Sequence, residues 1–129
     1  MADWWAETLG WVVEPTDEAF IRRMIKEGYA TEDDTKTYKG ALVWKEGAAI
    51  RHPDGPETGP RKRVLFQAVP EPKTVKNRVH LDLLVGPEAH DAEVERLVAL
   101  GATVVGVHDG DEGRWTLLTD PEGNEFDVS

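Results

Sequence analysis

His80 and Glu125 are the residues of this chain whose types and surroundings point most directly to chemistry. His80 sits in Val79-His80-Leu81-Asp82-Leu83 and Glu125 in Asn124-Glu125-Phe126-Asp127-Val128. An imidazole nitrogen and a carboxylate oxygen suit a divalent first-row metal, and a site with few protein ligands leaves positions where two adjacent substrate oxygens can chelate. Glu125, or a water on the metal, would then also serve as the base for proton transfer. The competing reading makes His80 a hydrogen-bonded strand histidine and Glu125 a solvated edge residue.

The elements that must position these groups are strands. Over 78–85 the side chains alternate, so Val79, Leu81, Leu83 and Val85 share one face and His80, Asp82 and Leu84 the other. The apolar face is expected to meet a helix, which pushes His80 and Asp82 to the opposite side. In a last strand over 124–128, Phe126 and Val128 take the apolar face and Glu125 and Asp127 the His80 side. Between them the spacing predicts a helix over 87–100, opening on Gly86-Pro87, burying Val94, Leu97 and Val98 and stopping at Gly101. Strands follow over 103–108 and 114–119. The last two strands are joined by Asp120-Pro121-Glu122-Gly123, which has the residues a type I turn prefers. The order is βαβββ.

Upstream, residues 3–10 read as a short helix ended by Gly10, followed by a strand at Trp11-Val12-Val13. A second helix is expected after Pro15-Thr16, where Phe20, Ile21, Met24 and Ile25 repeat at helical spacing until Gly28. Residues 31–39 read as a loop, 41–50 as a hairpin or one bulged strand, and 52–60, with three prolines and two glycines, as a surface loop. A strand over 64–69 carries Gln67 beside Leu65 and Val69. Pro70-Glu71-Pro72-Lys73 then marks 70–77 as a linker.

The halves on either side of that linker read as copies. Leu9-Gly10-Trp11-Val12-Val13 aligns with Leu100-Gly101-Ala102-Thr103-Val104, and each copy later reaches a strand with a ligand-type residue in its middle, Gln67 in one and Glu125 in the other. The first copy is longer by roughly the segment 15–40, which reads as an insertion. The expected organisation is a single domain over 1–129, with module one at 1–69, the linker at 70–77 and module two at 78–129.

Bulk composition narrows the function classes. A chain of 129 residues supports one domain with a real core. It contains no cysteine, so disulfides, thiolate ligands and a cysteine nucleophile are excluded. The formal charge of −10 repels phosphate backbones and anionic lipid, and Arg61-Lys62-Arg63 is the one tight basic cluster, so neither nucleic acid nor membrane is an expected partner. With no secretory leader pattern and no long apolar run, the expected compartment is the cytoplasm.

Three stretches together resemble the vicinal oxygen chelate superfamily and its glyoxalase-like branch: Asn77-Arg78-Val79-His80-Leu81-Asp82-Leu83, Glu93 to Leu100 with Gly101-Ala102, and Asp120-Pro121-Glu122-Gly123-Asn124-Glu125-Phe126. Trp4-Trp5-Ala6-Glu7-Thr8-Leu9-Gly10-Trp11 resembles the first helix and strand of the same branch. The resemblance implies an α+β fold in which paired βαβββ modules form a cup-shaped mixed sheet. By position it makes His80, Glu125 and Gln67 metal ligands, with zinc, nickel, iron or manganese as the candidate ion. It also implies that module one lacks its first strand, since the counterpart of His80 would fall upstream of Met1. The exposed sheet edge this leaves is expected to be filled by a second copy in a homodimer.

Among the remaining polar and aromatic residues, Trp44 and Trp115 read as core or as cavity walls suited to a flat ligand, and Asp82 as a further ligand-contacting group. His52, His90 and His108 read as solvated. Three functions stay open on these residues. The first is a metal-dependent lyase, isomerase or dioxygenase-type enzyme acting on a small molecule with adjacent oxygens. The second is a metal-free protein of the bleomycin-resistance kind that sequesters a small molecule. The third is a dimerisation or regulatory module. Retained His80 and Glu125 favour the first; the amide at Gln67 and the absent fourth ligand favour the second.

Overall fold

The computed structural model describes residues 1–56, 59–111 and 113–129. The middle of the loop expected over 52–60, at residues 57 and 58, lies outside them. The chain forms two compact units, Met1–Pro70 and Glu71–Ser129. The class is α+β, as the sequence implies.

In the first unit α1 (Ala2–Leu9) buries Trp5, Ala2 and Ala6 and ends at Gly10, whose φ of 64° is the left-handed turn that glycine makes without a Cβ clash. The chain enters β1 (Val12–Val13), antiparallel to β4 (Gly47–Arg51), which pairs in turn with β5 (Arg63–Gln67). The sheet order is β1-β4-β5. Between β1 and β4 lies α2 (Glu18–Lys26), whose Asp17 cap accepts a 2.9 Å bond from the Phe20 amide and whose Ile21 is fully buried. A 3-10 turn (Glu32–Asp34) and a hairpin of β2 (Thr35–Tyr38) and β3 (Ala41–Trp44) complete the segment.

Two expectations fail here. Residues 41–50 are neither a hairpin nor a bulged strand, because β3 pairs with β2 while β4 pairs with β1 and β5. Apolar alternation marks a strand but does not name its partner. The stretch 31–39 is not a plain loop: it holds β2, a polar strand exposed apart from Thr35. The turn that makes it a strand is Lys39-Gly40, with φ of 49° and 81°, since two left-handed residues match the twist of a tight hairpin.

The second unit has the expected order: β6 (Asp82–Leu83), α3 (His90–Ala99), β7 (Thr103–Gly110), β8 (Gly113–Thr119) and β9 (Glu125–Val128). The sheet runs β6-β9-β8-β7, with β6 parallel to β9 and the other pairs antiparallel. Its core is Leu97 of α3 against Leu118, Phe126 and Val128, all at zero exposure. The turn into β9 is held by Asp120, which is buried and whose Oδ1 accepts the amides of Glu122 and Asn124 at 2.9 Å.

Three details correct the sequence reading. The strand expected over 78–85 is two residues long, so Val79 (73% exposed) and Leu81 do not face a helix. Side-chain bonds, described below, anchor Asn77 and His80, and the Leu81 carbonyl accepts the Asp127 amide at 3.0 Å. The helix starts at His90, after a turn over 87–89, and Val98 lies on its exposed side while Leu97 carries the burial. β7 bulges between Val104 and Gly106 and is exposed along its length.

Candidate functional site

Strand β9 sorts the site. Phe126 and Val128 point into the core beneath α3, so Glu125 and Asp127 emerge on the other face of the sheet. Cross-strand register carries that face outward: Asp127 lies beside Leu117 of β8 and Asp82 of β6, and Glu125 beside Thr119. Two residues along β8, Trp115 is paired with His108 of β7, and their rings stack with centroids 3.7 Å apart and planes 24° from parallel. This face therefore holds His80, Asp82, Glu125, Asp127, His108 and Trp115, as the alternation of 78–85 and 124–128 leads one to expect for the first four.

His80 is held by Asp127. Its Nδ1 lies 2.9 Å from Asp127 Oδ2, with side chains 28% and 20% exposed. A carboxylate accepts, so Nδ1 is the donating nitrogen. The sequence offered Asp82 for contact on this face; the residue that bonds His80 is Asp127, two positions along from Glu125 and on the same face. The pairing comes from the parallel register of β6 and β9, which places Asp82 opposite Asp127.

Glu125 is held by the stretch read as a linker. Its Oε2 accepts the Asn77 amide at 2.9 Å and the Lys73 ammonium at 3.1 Å, and Asn77 Nδ2 donates to the Glu125 carbonyl at 3.4 Å. The Asn77 amide first, and Lys73 with it, stabilise the carboxylate and push its pKa down from 4.5 to about 2. At that value Glu125 is a weak proton acceptor near neutrality while these contacts last. Nothing in a proline-broken stretch of sequence announces that Lys73 and Asn77 close on a carboxylate about 50 residues away.

The depressed value makes an acid-stability prediction. The folded form of Glu125 titrates below its ordinary value, so its contribution is complete above pH about 4.5 and fades as pH falls toward about 2. Urea midpoints measured across that window should fall less steeply for Glu125→Gln than for the parent protein. Identical slopes would mean that the carboxylate is not held in this way.

Other expected site residues lie in the first unit. Gln67 closes β5 opposite Gly47 and is exposed; Trp44 closes β3 opposite Thr35 and is half-buried. His52 sets its ring edge-on to Trp11 at 5.6 Å and lines an open groove of about 510 Å³ with Arg61 and Lys62. In the second unit His90 is not solvated. It is 2% exposed, with Nε2 3.1 Å from the buried Thr116 hydroxyl and Nδ1 2.9 Å from Asp91. His108, also expected to be solvated, is the stacking partner of Trp115.

Among the described residues no group of three or more His, Asp or Glu is arranged to hold a metal ion. His80 bonds to Asp127 and Glu125 to Lys73 and Asn77, so an ion seated at Glu125 would have to displace an ammonium. As arranged, the donor set does not fit a metal. No helix among the described residues is long and apolar enough to cross a membrane.

A model of the Glyoxalase-like domain family matches residues 1–129. No curated protein matches the chain. Among solved structures, a hypothetical protein from S. aureus superposes with a TM-score of 0.55 at 13% identity, covering 99% of this chain and 86% of the other. A glyoxalase/bleomycin resistance protein/dioxygenase family enzyme from Burkholderia phytofirmans PsJN gives 0.55 at 17% identity, with 98% and 84% covered. A member of the glyoxalase/bleomycin resistance protein/dioxygenase superfamily from Sphaerobacter thermophilus DSM 20745 gives 0.51 at 15% identity, with 98% and 82% covered. At these identities the structures establish shared fold.

Proposed function

The chain belongs to the glyoxalase-like domain family of the vicinal oxygen chelate superfamily, and from that premise we propose that it binds a small planar molecule without a metal, as a sequestering protein of the resistance type. The observation that carries this reading is the His108–Trp115 stack on the same sheet face as the His80–Asp127 pair. An aromatic wall supplies contact area, and a few polar groups fix orientation, which is how small-molecule sites are usually built. His80 Nε2 and Asp82 offer the polar contacts.

The test is a panel of planar aromatic compounds screened by thermal shift, with and without a chelator. Trp115→Ala should weaken the best binder by about 3- to 10-fold, the scale of one lost aromatic contact. Binding that ignores Trp115→Ala, or that vanishes with the chelator, would sink the proposal.

One observation favours the enzymatic alternative, a lyase, isomerase or dioxygenase using a divalent zinc, nickel, iron or manganese ion. Metal-ligating histidines commonly give their second ring nitrogen to a carboxylate, and Asp127 makes that contact with His80. On this reading His80 and Glu125 are ligands, and Lys73 and Asn77 must first let Glu125 go. We attach to the proposal a homodimeric state, because β5 edges its sheet with Leu65 54% exposed. A strictly monomeric mass in sedimentation would remove it.

A further inference from the structure

The segment 73–77 does more than connect. Lys73 Nζ donates to Glu125 Oε2 and also to the carbonyl of Val75, so its ammonium is pinned from two sides. Its aliphatic stem runs along the turn before β9, where a Cβ at Gly123 would stand 3.7 Å from Lys73 Cγ. Asn77 clamps the same glutamate twice, by its amide on the carboxylate and by its side chain on the backbone carbonyl. The result is a carboxylate whose charge is answered inside its own unit, with the Lys73 and Glu125 side chains only 26% and 15% exposed.

We propose that Lys73 is the resident cation of this sheet face: its ammonium takes the place beside Glu125 that a divalent ion would need, and so decides that the face works without one. The physical reason is charge. Two cations on one carboxylate repel each other at contact distance, the more so in a partly desolvated setting, so the ammonium at Glu125 Oε2 weakens the hold on a divalent ion there. The occupied Oε2 adds a geometric reason, because that oxygen already accepts two donors and cannot join Oε1 in holding an ion in bidentate fashion. The inference rests on the metal-free reading above and deepens it by naming the residue responsible.

The experiment titrates nickel chloride into the full-length protein by calorimetry, comparing the parent with Lys73→Met, Lys73→Arg and the double variant Lys73→Met with Glu125→Gln. Lys73→Met keeps the stem and removes the charge, and should tighten nickel binding by about 10- to 100-fold, the scale on which groups around a metal ligand act. Lys73→Arg keeps a cation and should bind as weakly as the parent. The double variant should lose the gain. Far-UV circular dichroism and the thermal transition check that each variant folds.

Should Lys73→Met not fold, acetic anhydride labelling of the parent and of Glu125→Gln followed by mass spectrometry carries the test, with Lys73 reacting several-fold faster once its carboxylate is gone. Tight nickel binding by the parent that depends on His80 and Glu125 would overturn this inference and the metal-free function together. A folded Lys73→Met that gains nothing, or a Lys73 labelled at the same rate in both proteins, would overturn the inference alone. The planar-ligand result with Trp115→Ala is read independently of either outcome.

Discussion

Phe126→Ala should cost the protein about 3–5 kcal/mol, the usual penalty for emptying a fully buried aromatic site. Phe126 is at zero exposure and is the largest fully buried side chain among the described residues. It sits opposite Leu118 in the β8–β9 ladder, on the face that also buries Val128, and α3 closes over that face. A loss of that size consumes a large share of the roughly 5–15 kcal/mol that holds a typical domain together. Chemical denaturation should show the shift directly, and at 37 °C a visible fraction of molecules should have the second unit open. The effect should reach function as well, because Glu125 and Asp127 alternate with Phe126 on the same four-residue strand and keep their direction only while it is seated. A cost below about 1 kcal/mol, typical of a surface change, would mean that β9 is not packed as described.

His90→Ala should be nearly as damaging, at about 2–4 kcal/mol, for a different reason. The ring fills space at the start of α3 and answers the Thr116 hydroxyl, which is 1% exposed. Removing it leaves both a cavity and a buried hydroxyl without this partner. His90→Phe separates the two effects: it restores most of the volume but not the bond, and should cost about 1–3 kcal/mol. Adding Thr116→Val to His90→Phe should recover part of that loss, since removing both polar partners is cheaper than orphaning one. The Asp91 contact contributes less, because Asp91 is 69% exposed. If His90→Ala moves stability by less than about 0.5 kcal/mol, His90 is solvated after all and α3 does not meet β8 through it.

The second module was the most legible part of the sequence. Alternation in 124–128, helical spacing through Leu97 and turn residues at 120–123 are local signals, and each led to the element that is there, whereas of the strand expected over 78–85 only Asp82–Leu83 forms. They also put Phe126 and Val128 inside and Glu125 and Asp127 opposite, since alternation leaves a strand only two choices of face. Legibility fell where a residue's role depends on what it meets. His90 looked like a helix-surface residue because it is polar, yet it stands seven residues before Leu97 on the same buried face of α3, where it meets Thr116. Val98 looked like core by the same spacing that marks Leu97, and only the side of α3 that faces the sheet separates them.

The first half was harder because its strands are short and its pairing is not sequential in one sheet. Residues 41–50 read as a hairpin or one bulged strand, yet β3 and β4 go to different partners. β2 was missed because a polar strand has no apolar face to announce it; its evidence lies in the Lys39-Gly40 turn.

Returning to His80 and Glu125, alternation by itself determined that the Glu125 carboxylate stands on the side of a βαβββ sheet away from its helix, whereas His80 lies just outside β6 and is held on that side by Asp127. Periodicity is a property of the backbone and survives any packing that keeps the strand. Tertiary structure alone decided their partners: Asp127 for His80, through parallel pairing of β6 with β9, and Lys73 with Asn77 for Glu125, through a segment that folds back on the last strand. Partner choice joins residues about 50 positions apart, and contacts over such separations are set by how the chain closes on itself, which no local pattern encodes.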